Sequence, residues 1–277
     1  MKYGSILEAI GNTPMIRLNS EDGCELWGKA EYLNPGGSIK DRVALRMITE
    51  AETRGELHPG STIVEPSSGN TGIAMALVGV SRGYRVIIVM PEDMSEERKK
   101  IIRAFGGELE LTPRAASIDG SCTRAAELVQ SIEGAISLQQ FENPDNPQAH
   151  YDTTGPELWA DLDGRVDAFV AGIGSGGTFA GIGKFLREQN PNVFLGAIEP
   201  ENSGALLGQE PGLHCIPGIG DGFIPAVLDT QIISEVITVS DDDAIWTARR
   251  LAGEDGLLVG TSSGANVWAA RQLAKRL

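Results

Sequence analysis

The chain has 277 residues, of which 41% are apolar and 22% are charged, so it can bury the core of a large α/β protein and is no small disulfide- or metal-stapled module. Its 23 basic and 38 acidic residues give a formal net charge of −15, which argues against nucleic acid and anionic membranes as partners. The longest apolar run, Ile73 to Val80, is far shorter than the roughly 20 residues of a membrane span.

Apolar, β-branched runs alternate with longer helical patterns along the chain. Predicted strands are Glu25 to Ala30, Thr62 to Glu65, Val86 to Met90, Glu108 to Thr112, Ala168 to Ala171, Val193 to Glu199 and Glu235 to Val239. Predicted helices are Ile39 to Thr53, Thr71 to Arg82, Glu96 to Phe105, Asp119 to Ser131, Gly177 to Gln189, Asp241 to Gly253 and Ser263 to Leu277. This alternation predicts a mostly parallel sheet with helices on both faces.

A domain boundary is expected in the segment Asn143-Pro144-Asp145-Asn146-Pro147. Two prolines within five residues argue against a regular helix there and predict a stiff crossover. The three cysteines contain no C-x-x-C pair and fit a reducing compartment, and the start of the chain lacks the apolar core of a signal peptide. We therefore expect a cytoplasmic protein. The three histidines lack metal-ligand spacing, so no metal site is expected.

The first segment that suggests chemistry runs from Asn34 to Arg42 and leads into the first predicted helix. Ser38 and Asp41 have nearly the spacing of a capping box, which would place Lys40 in the first turn. The helix macrodipole disfavours a cation there, so the position favours the neutral amine, a nucleophile that can form a Schiff base with an aldehyde cofactor. The alternative is a surface lysine paired with a carboxylate.

A second turn, from Pro66 to Gly72, joins a predicted strand to an apolar helix. Its hydroxyl and amide side chains, together with backbone N–H groups at the helix N-terminus, are suited to bind a carboxylate. These side chains belong to Ser67, Ser68, Asn70 and Thr71. Ordinary helix capping is the alternative, but it would account for one such residue rather than four.

A third turn, Gly172-Ile173-Gly174-Ser175-Gly176-Gly177-Thr178, also lies between a strand and a helix. Glycines allow backbone N–H groups to approach an oxyanion closely, and the helix N-terminus adds partial positive charge, so the turn is typical of a phosphate site. The bland alternative is a tight packing turn. The turn also matches G-x-G-x-x-G, and with Glu199 as a ribose-binding acid it leaves open an NAD-linked oxidoreductase.

A lysine amine, a phosphate cradle and a carboxylate cradle on one α/β scaffold are together what pyridoxal phosphate and an amino acid require. The chain resembles the cysteine synthase (O-acetylserine sulfhydrylase) family of fold-type II pyridoxal-phosphate enzymes almost from end to end. The segments that carry the resemblance are Ile10-Gly11-Asn12-Thr13-Pro14, PGGSIKDR at 35–42, EPSSGNTG at 65–72, QQFENP at 139–144, TTGPE at 153–157, GIGSGGT at 172–178, GIGDGFIP at 218–225 and VGTSSGA at 259–265.

The resemblance implies a role for each matching residue. Lys40 is the Schiff-base lysine and the base that removes the Cα proton. The cofactor-binding residues are Lys40, Asn70, Gly174, Ser175, Gly176, Gly177, Thr178 and Ser262, with Asn70 at the ring hydroxyl oxygen, residues 174–178 at the phosphate and Ser262 facing the pyridine nitrogen. The substrate carboxylate would be bound by Ser67, Ser68, Thr71 and Gln140.

The implied fold has two doubly wound, mostly parallel sheets, with the active site between a larger cofactor-binding domain, 1–35 and 146–277, and a smaller mobile domain, 36–145. The implied reaction is β-replacement, in which O-acetyl-L-serine and sulfide give L-cysteine and acetate. The implied partners are a second copy of the chain and the C-terminal tail of serine acetyltransferase. Alternatives are an O-phosphoserine sulfhydrylase, a cystathionine β-synthase and a non-catalytic relative.

Overall fold

The computed structural model describes residues 2–19 and 23–276. The strands are β1 (Met15–Leu18), β2 (Leu26–Lys29), β3 (Thr62–Pro66), β4 (Arg85–Pro91), β5 (Glu108–Thr112), β6 (Ala135–Ile136), β7 (Ala168–Gly172), β8 (Phe194–Pro200) and β9 (Glu235–Val239). The α-helices are α1 (Lys40–Thr53), α2 (Asn70–Ser81), α3 (Glu96–Ala104), α4 (Ser117–Ser131), α5 (Asp145–Ala149), α6 (Gly155–Asp161), α7 (Gly177–Gln189), α8 (Asp241–Glu254) and α9 (Thr261–Ala274). Within the described residues, every helix is too short or too polar to cross a membrane.

The chain divides into two compact units. The first consists of Met1–Gly11 and Glu31–Ala149, and the second of Asn12–Ala30 and His150–Leu277. The division differs from the domain boundaries expected from the sequence. The first unit takes up residues 2–11, 31–35 and 146–149, which were assigned to the larger domain.

The sheet of the first unit has the strand order β5-β4-β3-β6, and its pairings are parallel. Side chains alternate between the two faces of a strand, so Ile63 of β3 packs in the cluster formed with α1 and α2, whereas Val64 packs in a second cluster that includes Ala125 of α4. Helices therefore cover both faces of this sheet, as the alternating pattern predicts. Met47 and Met75 are fully buried in the larger cluster.

The second unit has a parallel sheet of order β7-β8-β9. Leu195 of β8 packs in a cluster with Phe179 and Ile182 of α7, and Ile198 of the same strand packs in another cluster with Ala265 of α9. Strands β1 and β2 also belong to this unit, where they pair antiparallel. The parallel α/β architecture expected of both units is thus present.

The proline-rich segment at 143–147 begins a helix, contrary to the expectation from its two prolines. Asp145–Ala149 forms α5, a π-helical turn follows at His150–Thr154, and α6 continues from Gly155. Pro147 is the third residue of α5, within the first turn, where backbone N–H groups have no intrahelical partner and a proline costs little. The two prolines therefore allow a helix to begin here.

Candidate active site

Lys40 is the first residue of α1, in the first turn as the spacing predicts. The capping box does not form as expected. The Ser38 hydroxyl accepts the backbone N–H of Lys40 itself at 3.2 Å, and the Asp41 carboxylate reaches back to accept the N–H of Gly36 at 2.5 Å. Burial raises the pKa of Asp41 to about 6, against the lowering effect of the Gly36 hydrogen bond and with a further rise from the nearby Glu31 charge.

A buried ion pair fixes the segment that precedes Lys40. The Arg42 guanidinium donates to both carboxylate oxygens of Glu31 at 2.8 Å. The Asn34 side chain donates to Glu31 at 2.8 Å and accepts the backbone N–H of Gly11 at the same distance. Bidentate pairs of this kind are geometrically specific, so the turn that bears Lys40 is held in one conformation.

The turn between β3 and α2 is organised by Ser67. Its hydroxyl oxygen accepts the N–H of Gly69 at 3.3 Å and of Gly72 at 3.0 Å, so Ser67 is the residue of this turn that binds the free N–H groups at the start of α2. Asn70 is the first residue of α2. In neither bond is the hydroxyl hydrogen of Ser67 used, so Ser67 can still donate to a ligand.

The structure brings Thr71 and Gln140 together although they are 69 residues apart in the sequence. The Thr71 hydroxyl donates to the side-chain oxygen of Gln140 at 2.7 Å, and Asn146 donates to the Gln140 carbonyl at 2.7 Å. Gln140 is 8% exposed. With its oxygen engaged by Thr71, the Gln140 side chain offers its two amide hydrogens, the pair of donors that a carboxylate accepts.

Ser68 lies in the same turn, and its carbonyl oxygen accepts a hydrogen bond of 3.0 Å from the Arg98 guanidinium on α3. The sequence did not indicate this contact between Arg98 and Ser68. The helical pattern at 96–105 gave no indication that one of its arginines would reach the polar turn 30 residues earlier.

In the second unit, the glycine turn between β7 and α7 has the form of an anion cradle. Gly176 is the N-cap of α7 and has a φ of 80°, a left-handed conformation that favours glycine. A side chain at Gly174 would collide with the carbonyl oxygen of Gly218. Gly177 and Thr178 open the helix, and Ser175 is buried beside them. Backbone N–H groups at a helix N-terminus, with two hydroxyl side chains nearby, fit a phosphate group.

Ser262 is the second residue of α9, a helix that packs on β7. The side chain of Asn266, one turn further along α9, accepts the backbone N–H of Gly172 at 2.9 Å. This bond ties the helix that carries Ser262 to the strand end that opens the glycine turn. The VGTSSGA and GIGSGGT segments are therefore neighbours within one unit, which their separation in the sequence does not reveal.

His150 is a second residue that sequence reasoning missed. It is buried, with Nε2 3.3 Å from the Thr178 hydroxyl oxygen and Nδ1 2.9 Å from that of Thr154. His150 thus links the first turn of α7 to the π-helical turn at His150–Thr154. In the sequence, only the TTGPE motif at 153–157 pointed to a functional region near His150. Spacing alone does not relate His150 to Thr178.

Glu199, the acid of the oxidoreductase interpretation, is 2% exposed at the end of β8. Both of its carboxylate oxygens accept the N–H of Leu206, at 3.2 and 3.1 Å. Burial raises its pKa. A ribose-binding carboxylate must be accessible to the sugar, so this geometry gives Glu199 a loop-anchoring role instead.

Comparison with known proteins agrees with these features. A family model described as pyridoxal-phosphate dependent enzyme matches residues 6–277. A cysteine synthase from Staphylococcus aureus is 48% identical over 277 residues, covering 99% of this chain and 89% of the relative.

Two solved structures are similar over nearly the whole chain. An O-acetylserine dependent cystathionine beta-synthase from Helicobacter pylori is 43% identical with a TM-score of 0.93, covering 100% of this chain and 92% of its own. A cysteine synthase from Entamoeba histolytica is 39% identical with a TM-score of 0.96, covering 99% of this chain and 83% of its own.

Proposed function

Because the chain belongs to the family of pyridoxal-phosphate dependent enzymes, we propose that it forms L-cysteine from O-acetyl-L-serine and sulfide by β-replacement. The expected fold-type II architecture and the expected cofactor, pyridoxal 5'-phosphate, are confirmed by the family match and by the solved structures. The oxidoreductase interpretation is therefore set aside. The observation that carries the proposal is the Thr71–Gln140 hydrogen bond, which prepares an amide donor pair for the carboxylate of an amino acid.

The family motifs assign a part of the cofactor to each matching residue. Lys40 would bind its aldehyde, Asn70 its ring hydroxyl oxygen and Ser262 its pyridine nitrogen, while the turn of Gly174, Ser175, Gly176, Gly177 and Thr178 would hold its phosphate. The fit of that turn to a phosphate supports this assignment, since a side chain at Gly174 is sterically excluded and the N-terminus of α7 follows.

When bound, pyridoxal phosphate supplies an electron sink for the bond that breaks at Cα. Gln140, Ser67 and Ser68 would orient the substrate through its carboxylate, with Thr71 fixing the Gln140 amide. Lys40 would accept the Cα proton at Nζ as acetate leaves Cβ. The same nitrogen would return the proton to Cα after sulfide adds to Cβ.

The Ser262 hydroxyl is neutral, so it would not hold a proton on the pyridine nitrogen as a carboxylate does. A weaker electron sink favours prompt loss of a β-substituent over reactions that need a long-lived carbanion, such as transamination. The choice of serine at this position therefore supports β-replacement.

We also propose a homodimer that acts in the cytoplasm, a mobile smaller domain, and recognition of a serine acetyltransferase C-terminal tail by the carboxylate-binding turn. A reducing compartment is supported by Cys24, Cys122 and Cys215, which are unpaired thiols in the described part of the chain. A terminal carboxylate would be recognised by the same donors as the substrate carboxylate.

The test is an assay of the purified protein with pyridoxal phosphate, in which L-cysteine is measured directly. We expect cysteine from O-acetyl-L-serine and sulfide, with a higher kcat/KM than for O-phospho-L-serine as donor or homocysteine as acceptor. A protein that binds the cofactor but converts none of these pairs would contradict the proposal and favour a non-catalytic relative.

A further inference from the structure

Glu65 lies near the end of β3 and is 1% exposed, which is an unusual place for a carboxylate. One of its oxygens, Oε2, accepts three hydrogen bonds. The donors are the Ser137 hydroxyl at 3.1 Å, the Leu138 N–H at 3.0 Å and the Gln139 N–H at 3.4 Å. Three donors that converge on one oxygen form a bonding pattern suited to a carboxylate.

The segment that these bonds anchor ends at Gln140. Gln139 has a φ of 55°, in the left-handed region that residues other than glycine seldom adopt, so the backbone is strained next to Gln140. Strain of this kind persists only where surrounding contacts impose it. Glu65 supplies contacts on one side of the strained residue, and Asn146 supplies one on the other through the Gln140 carbonyl.

Glu65 also lies in the strand that leads into the Ser67 turn. Only one residue separates Glu65 from Ser67, whereas its carboxylate reaches the segment that follows β6, the neighbouring strand. Glu65 therefore links the two stretches of chain that carry the proposed carboxylate-binding groups: the turn of Ser67 to Thr71 and the segment that ends at Gln140.

We propose that Glu65 is a positioning residue, which sets the Gln140 amide at the distance from the Ser67 turn that an amino-acid carboxylate requires. This inference rests on the proposed function, since it assumes an amino-acid substrate. Glu65 itself is buried beneath the two segments and acts through Gln140. Its loss should weaken binding of ligands that bear a carboxylate and spare ligands that lack one.

The experiment uses the holoprotein and the variant Glu65→Gln, which keeps the side-chain size and removes the charge. Binding of L-alanine and of ethylamine is measured through the change each causes in cofactor absorption, because the two amines differ only in the carboxylate. We expect the Kd of L-alanine to rise about tenfold and that of ethylamine to stay within about twofold, as for a weakened buried hydrogen bond.

The matched control is Glu199→Gln, which changes a buried carboxylate at the corresponding strand end of the second unit. It should leave the ratio of the two Kd values unchanged. In steady state, Glu65→Gln should lower kcat/KM for O-acetyl-L-serine about tenfold and leave kcat/KM for sulfide unchanged. In a Gln140→Ala background, Glu65→Gln should have no further effect on the Kd of L-alanine.

An equal loss of affinity for L-alanine and ethylamine, or no loss for either, would overturn the positioning role. If Glu65→Gln does not fold, Ser137→Ala removes one of the three donors and should give a smaller, two- to threefold change of the same selectivity. Failure of the proposed function is recognised separately, as wild-type protein that binds L-alanine without forming cysteine.

Discussion

The two units carry their candidate ligand-binding groups in different ways. In the first, side chains supply the donors, as in Ser67 and in Gln140 with its partner Thr71. In the second, backbone supplies them, around Gly174 and Gly176. A side-chain donor is removed by truncation, whereas a backbone donor is displaced when a side chain is added. Ligand binding should therefore be weakened by truncating a side chain in the first unit and by adding one in the second.

The central strands of the two sheets nevertheless end alike. β3 ends in Glu65 and Pro66 and β8 in Glu199 and Pro200, and both carboxylates are buried and accept backbone N–H groups. Glu199 anchors the loop that follows its own strand, whereas Glu65 anchors the segment after a neighbouring strand. A glutamate followed by proline thus anchors one loop at the end of β8, whereas at the end of β3 it connects two segments of the first unit.

The largest effect is expected where the first unit supplies a nucleophile. Lys40→Ala should lower cysteine formation about 10³-fold or more, because the proposed proton acceptor at Cα is lost. Cysteine is measured under saturating O-acetyl-L-serine and sulfide. Lys184→Ala, which removes an exposed lysine on α7, is the control and should retain wild-type activity. Comparable activity in both variants would contradict the proposed role of Lys40 as the proton acceptor at Cα.

An added methyl group should break the backbone-lined region of the second unit. Gly174→Ala places a Cβ against the Gly218 carbonyl, so the turn must shift, and overpacking of this kind costs about 2 kcal/mol. We expect the Kd of pyridoxal phosphate, measured by equilibrium titration, to rise roughly 30-fold. Gly253→Ala in α8, where the methyl group enters open space, should leave that Kd unchanged. Unchanged binding in Gly174→Ala would contradict the cradle.

Removal of one side-chain donor should have a smaller effect in the first unit. Thr71→Val keeps the shape of Thr71 but removes the hydroxyl that donates to Gln140, so KM for O-acetyl-L-serine should rise about tenfold with kcat within about twofold. Thr62→Val, another buried threonine of the first unit, should change neither constant. A fall in kcat alone would mean that Thr71 acts on the chemical step instead.

The smallest predicted effect is the pH dependence of the free energy of unfolding that arises from Asp41, which follows Lys40 and accepts the N–H of Gly36. The pKa of Asp41 is raised from 3.8 to about 6 in the folded protein, so the folded state binds the proton more tightly and stability falls as pH rises through that range. Between about pH 5 and about pH 7 the loss is about 1 kcal/mol. Denaturant titrations should show it in wild type and in Asp242→Asn, an exposed control, and not in Asp41→Asn.

Much of the fold could be predicted from the sequence, because long periodic segments carry strong signals. β5, β9 and α7 have the predicted bounds, the other predicted strands differ by one residue at one or both ends, and β1 was not predicted. β6 was missed because two residues, Ala135 and Ile136, are too few to show a period. α5 was missed because Pro144 and Pro147 argue against a regular helix, although Pro147 lies in the first turn of α5. α6, with Pro156 at its second position, was not predicted either.

The candidate site was predictable as three separate turns and not as a network. The helix-start positions of Lys40 and Asn70 follow from local patterns. The Thr71–Gln140 and His150–Thr178 contacts join residues far apart in the sequence, and only the packing of the elements brings them together. Glu65 had a signal that went unused: the repetition of a hydrophobic residue, glutamate and proline at the ends of β3 and β8.

The central proposal is that the Lys40 amine forms the covalent bond to the aldehyde of the cofactor. Its most direct test is borohydride reduction of the holoprotein, followed by peptide mapping of the phosphopyridoxyl group by mass spectrometry. The account predicts the group on Lys40 in wild type. A group attached to any other lysine, or no attachment in protein that has bound the cofactor, would contradict it.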